Sequence, residues 1–195
     1  RYTVVVATVA LFDQLLELTS DEALIKFGFR YAAAGQWGKF HRLVRQTFSF
    51  EVTASVATGV LVAGFAFVAG SVMHGAGGLV APFLIAACLP TLQSIESMGA
   101  AALALRGRYD IRGLLLVYSM SLRLAGLWLG ALHGVTAAVL GVVAAQVVTT
   151  ATMSTFGLVA LGRFPQSASE PLGADRGPLL RFVLQSTVDT ALVAV

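Results

Sequence analysis

Charge is scarce in this sequence. Only 12% of its 195 residues are Asp, Glu, Lys or Arg, against roughly 25% in ordinary soluble domains. Hydrophobic residues make up 57% and the mean hydropathy is +0.82. Together these exclude a soluble globular domain, and they exclude disorder, which requires low hydrophobicity. Cys88 is the only cysteine, so a disulfide framework is excluded. The net charge is only +3, and the pI near 9.4 reflects a small surplus over few charges, which argues against nucleic acid as a partner. The three histidines, His41, His74 and His133, fall in separate connectors. Neither a Gly-rich phosphate loop ending in Lys nor a G-x-S-x-G elbow is present. No metal, no cofactor and no covalent chemistry are expected.

What is present is long apolar runs. About 20 apolar residues span a bilayer, and the chain holds such runs at about 2–18, 47–70, 78–105, 111–132 and 135–162, with another starting at 182–195. The expected fold is all-α: a polytopic transmembrane helix bundle of about five full spans plus truncated end helices. The chain opens on Arg1 without a Met and closes inside an apolar run, which reads as an internal piece of a larger membrane protein. Thr19 with Glu22 three residues on forms a capping box, predicting a helix through Ala34 that stops at Gly35. In residues 36–46 the apolar stripe Trp37, Phe40, Leu43 and Val44 lies beside Lys39, His41, Arg42 and Arg45, a basic amphipathic segment suited to a membrane surface. Pro82 and Pro90 predict kinks in the run 78–105. Residues 163–181, with Pro165, Pro171 and Pro178, read as a loop.

The basic residues alternate with the runs. Segments 19–46, 106–112 and 163–181 hold Lys26, Arg30, Lys39, Arg42, Arg45, Arg106, Arg108, Arg112, Arg163, Arg176 and Arg181, whereas connectors 71–77 and 133–134 hold no Lys or Arg. The positive-inside rule then places the three basic segments in the cytoplasm.

Ionisable residues inside the runs are the sharpest functional signal, because each costs about 2.5–3.5 kcal/mol at mid-helix and usually faces a partner or a cavity. Arg123 lies roughly 18 Å into its run, and Glu96 roughly 14 Å from the basic end of the preceding, antiparallel run. Two readings stand side by side: a structural ion pair locking the hairpin, or a cavity-lining cation attracting an anionic substrate with Glu96 tuning it. Glu51 and Asp13 lie near basic ends of their runs. They are read as snorkelling interface residues or, with Arg112, as the lining of a vestibule. Gln93 and Gln146 suit interhelical hydrogen bonding, while Ser94 and Ser97 add small polar surface to the run 78–105 and Thr149, Thr150, Thr152, Ser154 and Thr155 add it to the run 135–162.

The segments Leu11-Phe12-Asp13-Gln14-Leu15 and Phe29-Arg30-Tyr31-Ala32-Ala33-Ala34-Gly35-Gln36-Trp37 resemble the link after the second helix of bacterial polysaccharide flippases. These are the O-antigen and capsule exporters of the multidrug/oligosaccharidyl-lipid/polysaccharide superfamily. Ala102-Leu103-Ala104-Leu105-Arg106-Gly107-Arg108-Tyr109 looks like that family's basic turn before its fifth helix, and His133-Gly134 is similar to the turn before its sixth. The resemblance implies that residues 1–162 form most of one six-helix lobe and that 163–181 link it to a second lobe outside this sequence. It also implies alternating access in a bacterial cytoplasmic membrane, carrying an undecaprenyl-pyrophosphate-linked oligosaccharide among membrane lipids. Arg123 and Arg112 fit the family's cationic cavity. Three other functions compete: a cation-coupled multidrug exporter using Asp13, Glu51 or Glu96, an integral-membrane glycosyl- or acyltransferase, and a non-catalytic assembly subunit.

Overall fold

The computed structural model describes residues 20–72, 77–175, 177–179 and 181–182. The first apolar run with Asp13, the capping Thr19, His74, Arg176 and residues 183–195 lie outside the described residues. Among the described residues six helices are bounded: α1 Ser20–Ala33, α2 Trp37–Val72, α3 Gly77–Ala86, α4 Leu89–Leu105, α5 Tyr109–Ala131 and α6 Val135–Gly162. A 3-10 turn, Gly173–Asp175, comes after them, and residues 177–179 and 181–182 are helical, so the stretch 163–181 is not a loop throughout. No strand occurs among the described residues. Four stretches among the described residues are long and apolar enough to cross a membrane: Trp37–Val68, Val80–Leu105, Tyr109–Ala131 and Val135–Gly162. The chain is an all-α, multi-pass membrane protein.

The bundle is organised around α6, which packs along α5, α4 and α3, while α2 packs on α1, α3 and α4. Although joined by a short turn, α4 and α5 touch only lightly. That turn is set by its backbone. Gly107 has φ +72°, the left-handed region that costs Gly nothing. The amide of Gly107 donates to Ala104 O at 2.8 Å and that of Arg108 to Leu103 O at 3.0 Å, which is a Schellman closure. The residues flanking Gly107, Arg106 and Arg108, are thereby fixed at the helix junction.

Two expectations are revised. Residues 36–46 are not a separate surface helix but the first turns of the 36-residue α2. Phe40 and Leu43 are fully buried and pack with Leu24, Phe27, Tyr31, Met98, Leu105 and Phe164. The apolar stripe meets protein rather than lipid, because α1 and the segment after α6 cover it. The run 78–105 is not merely kinked. It is divided at Ala87 and Cys88, with Pro90 in the first turn of α4. Proline has no N–H to give the preceding turn, so α3 ends at Ala86.

The segment 163–175 folds back over the start of α2. Phe164 stacks on Trp37 and Phe40 with ring centroids 5.8 and 4.9 Å apart. The Glu170 amide donates to Gly38 O at 3.1 Å, and Arg30 pairs with Asp175 at 2.6 Å, with Lys39 3.7 Å away. Hydrogen bonding from Arg30 holds the Asp175 carboxyl below the usual carboxylate range.

At the other crossing, backbones meet directly. A Cβ built on Gly126 of α5 would collide with Gly141 O of α6, and one on Gly141 with Gly126 O. Small residues that let backbones approach are the usual basis of helix association in lipid, where the hydrophobic effect gives no drive between helices.

Two outcomes follow from this packing. Gly141→Leu should force α5 from α6 and lower stability by about 1–3 kcal/mol, read as a lower melting temperature in detergent, whereas Gly113→Leu, which has open space around it, should not. A depressed carboxylate supports the fold above its unfolded pKa and ceases to as pH falls through its folded one. The Asp175 tie should therefore be constant from pH 6 to 8 and weaken progressively as pH falls below about 4. Trp37 fluorescence in a Trp128→Phe background should show the change, and Asp175→Asn should reproduce it at neutral pH.

Candidate functional site

Near the middle of the bundle a carboxylate sits among donors. Glu96 of α4 is buried, with its side chain 9% exposed. It points between α5 and α6. Its Oε2 accepts from the Arg123 guanidinium at 2.7 Å and from the Gln146 amide at 2.6 Å. Its Oε1 accepts from the Ser119 hydroxyl at 2.8 Å. Thr149 Oγ1 lies 3.3 Å from Oε2 but also 3.0 Å from Gln146 O, so its single proton is shared between the two. The Gln146 amide donates onward to Thr150 Oγ1 at 3.1 Å, and Thr150 donates to the α4 carbonyl of Leu92 at 3.0 Å. Three helices are thus joined through one anion.

Local sequence explains the arrangement. Ser119 and Arg123 are four residues apart, as are Gln146 and Thr150, so each pair shares one helix face. Ser97 and Ser94 occupy a different face of α4. Ser97 donates to Glu51 Oε1 at 3.0 Å, and Ser94 lies 3.0 Å from Ser55 Oγ. A second polar seam therefore joins α2 to α4, separate from the first.

A lone buried charge is costly in hydrocarbon, whereas a paired and fully hydrogen-bonded one is tolerated. Ordinary interhelical hydrogen bonds in membranes average only about 0.6 kcal/mol. The ionic contact therefore dominates this cluster, and the amide and hydroxyls serve to fill the remaining lone pairs of the carboxylate.

The sequence-derived residues separate as follows. Arg123 and Glu96 meet directly, with Arg123 retaining 23% side-chain exposure. Arg112 shares their face of α5 but lies roughly 16 Å further toward its basic end, partly exposed. Glu51 belongs to the α2–α4 seam. Asp13 is outside the described residues. Gln146, expected as an interhelical hydrogen-bonding residue, is a member of the cluster, and so is Thr149, expected only as small polar surface. Ser119 was not singled out from sequence, although its place one turn before Arg123 is a readable signal. Among the described residues no group of His, Cys, Asp or Glu is arranged to hold a metal ion.

No family model, curated protein or solved structure matches this chain. The site is consequently read from its own chemistry: a polar, ion-paired node inside a membrane bundle, able to bind, reorganise or exchange partners.

Removing one ion should cost far more than removing both. Glu96→Ala strands Arg123 and should lower stability by about 3 kcal/mol, the low end for a buried pair because Arg123 is not fully enclosed. Glu96→Leu with Arg123→Met should lose clearly less. A double-mutant cycle on detergent-solubilised protein, followed by helical circular dichroism, measures the difference. An additive result would remove the ion pair as the dominant contact.

Proposed function

We propose that this chain forms part of a membrane transporter that moves a lipid-linked oligosaccharide of the undecaprenyl-pyrophosphate type across the bacterial cytoplasmic membrane by alternating access, without covalent chemistry. The observation that carries this reading is the Arg123–Glu96 pair at 2.7 Å, deep within membrane-spanning helices. Intramembrane charges of this kind commonly mark substrate or ion pathways. A guanidinium held by a carboxylate can exchange that partner for the phosphates of an anionic substrate, and Arg suits planar, bidentate phosphate recognition. Exchange of this sort gives an element with two arrangements, which alternating access requires.

Three further observations support the reading. The helix ends carrying Lys39, Arg42 and Arg45, then Arg106 and Arg108, then Arg163 all lie on one side of the bundle, as the ring contacts of Phe164 with Trp37 and its contact with Arg106 require. The positive-inside rule assigns that side to the cytoplasm. The light contact between α4 and α5 leaves room for relative movement, and the resemblance noted from the sequence points to the same class.

A cation-coupled exporter is the second reading, favoured by the separate Glu51 carboxylate and its Ser97 partner in the α2–α4 seam. It predicts dye efflux that collapses when the ion gradient is dissipated and does not depend on Arg123.

The test uses Glu96→Gln/Arg123→Gln in the full-length protein, because the double change leaves no stranded charge and so separates folding from function. Normal membrane abundance with lipid-linked glycan no longer reaching the outer face is the expected result. Wild-type surface glycan in that variant overturns the flippase reading.

A further inference from the structure

At the basic side of the bundle, away from Glu96, the ends of α4, α5 and α6 enclose a cavity of about 300 Å³. Arg106, Arg108 and Arg163 converge on it, and Ile111, Phe156 and Val159 form much of its apolar wall. The charge there is largely uncompensated. Arg108 pairs with Asp110 at 3.2 Å. Arg106 lies over the Phe164 ring at 5.3 Å. Neither Arg106 nor Arg163 has a carboxylate within 4.0 Å among the described residues. With Arg108 paired to Asp110, Arg106 and Arg163 leave a net positive charge around the cavity, and a bound anion would offset it.

Position narrows the anion. The cavity lies where three membrane-spanning helices end, at the level of lipid headgroups. Its wall includes Phe156 and Val159, which are exposed, and Tyr109, exposed and next to Arg108 in the chain, is a residue type enriched at membrane interfaces. A soluble phosphate would use the arginines and leave that apolar wall wet. A phospholipid uses both, with the phosphodiester on the guanidiniums and the chains along α5 and α6. Basic pockets between helices at the cytoplasmic boundary are a recognised setting for anionic headgroups.

We infer that Arg106, Arg108 and Arg163 form a binding site for the phosphodiester headgroup of an anionic glycerophospholipid. The inference stands independently of the transport reading, since it uses none of the residues of the Glu96 cluster. The Gly107 turn sets the backbone spacing of Arg106 and Arg108.

Native mass spectrometry of the detergent-solubilised full chain, titrated with dioleoylphosphatidylglycerol or dioleoylphosphatidylcholine, tests the site. The anionic lipid should bind more tightly, and Arg106→Gln/Arg163→Gln should weaken it about thirtyfold. Arg42→Gln/Arg45→Gln, an equal loss of charge elsewhere on the basic side, should change it little. Wild-type protein gives a second readout that does not depend on a variant folding: phosphatidylglycerol, but not phosphatidylcholine, should slow modification of Arg106 and Arg163 by phenylglyoxal while leaving Arg42 reactive. Unchanged affinity in the first double variant, an equal loss in the second, or no protection of Arg106 and Arg163 each overturns the inference. Displacement of the lipid by millimolar inorganic phosphate overturns the lipid assignment in favour of a soluble anion.

Discussion

A carboxylate taken out of water must be met by donors, and in this bundle the requirement falls on Glu96. The ion on α4 draws a guanidinium and a hydroxyl from α5 and an amide and a hydroxyl from α6. Because α4 and α5 touch only lightly on their own account, this node and α6 hold them in register. The cost of an unpaired charge in hydrocarbon makes the arrangement exacting. If any one of the three helices turned away, a buried charged or polar group would lose its partner.

The rest of the bundle answers the same constraint by different means. Where polar atoms are absent, the helices gain from direct backbone contact, as at Gly126 and Gly141, since lipid gives apolar side chains little reason to prefer one another. Where the helices reach the basic side, a hydrophobic core of the kind found in soluble domains returns. There Phe40, Leu43, Tyr31 and Phe164 pack under α1 and the returning segment 163–175. The fold thus has three layers of cohesion along the membrane normal: an aromatic and aliphatic core at the basic side, an ionic node in the middle, and close packing of α3 on α2 and α6 toward the other side through Val62, Phe83 and Val139.

Much of the fold was legible in the sequence. The runs 47–70, 78–105, 111–132 and 135–162 each fall on a stretch able to span a membrane, and Gly35 follows the end of α1 as the capping pattern predicts; Pro82 and Pro90 signalled only kinks, where the helix in fact divides. The segment 36–46 was read incorrectly because amphipathicity shows only that one face is apolar. It does not say whether lipid or protein covers that face. Glu96 and Arg123 were legible as neighbours, since two charges at similar depth in antiparallel helices can meet. Their state, paired rather than free, was left open, because depth fixes position along a helix but not rotation about it.

By itself, then, the sequence determined the class: scarce charge and long apolar runs require a helical membrane protein, and the alternation of basic segments sets one side apart from the other. Only the tertiary structure decided that Glu96 faces Arg123, Ser119 and Gln146 while Ser97, one residue on, faces Glu51. It also decided that Arg106, Arg108 and Arg163, more than fifty residues apart along the chain at their extremes, share one cavity. The physical reason is the same in both cases. Hydropathy is a property of each residue and can be read along the chain. Which partner satisfies a buried charge depends on helix rotation and crossing, and those are set by the close glycine contacts and the hydrogen-bonding needs of all the packed helices together.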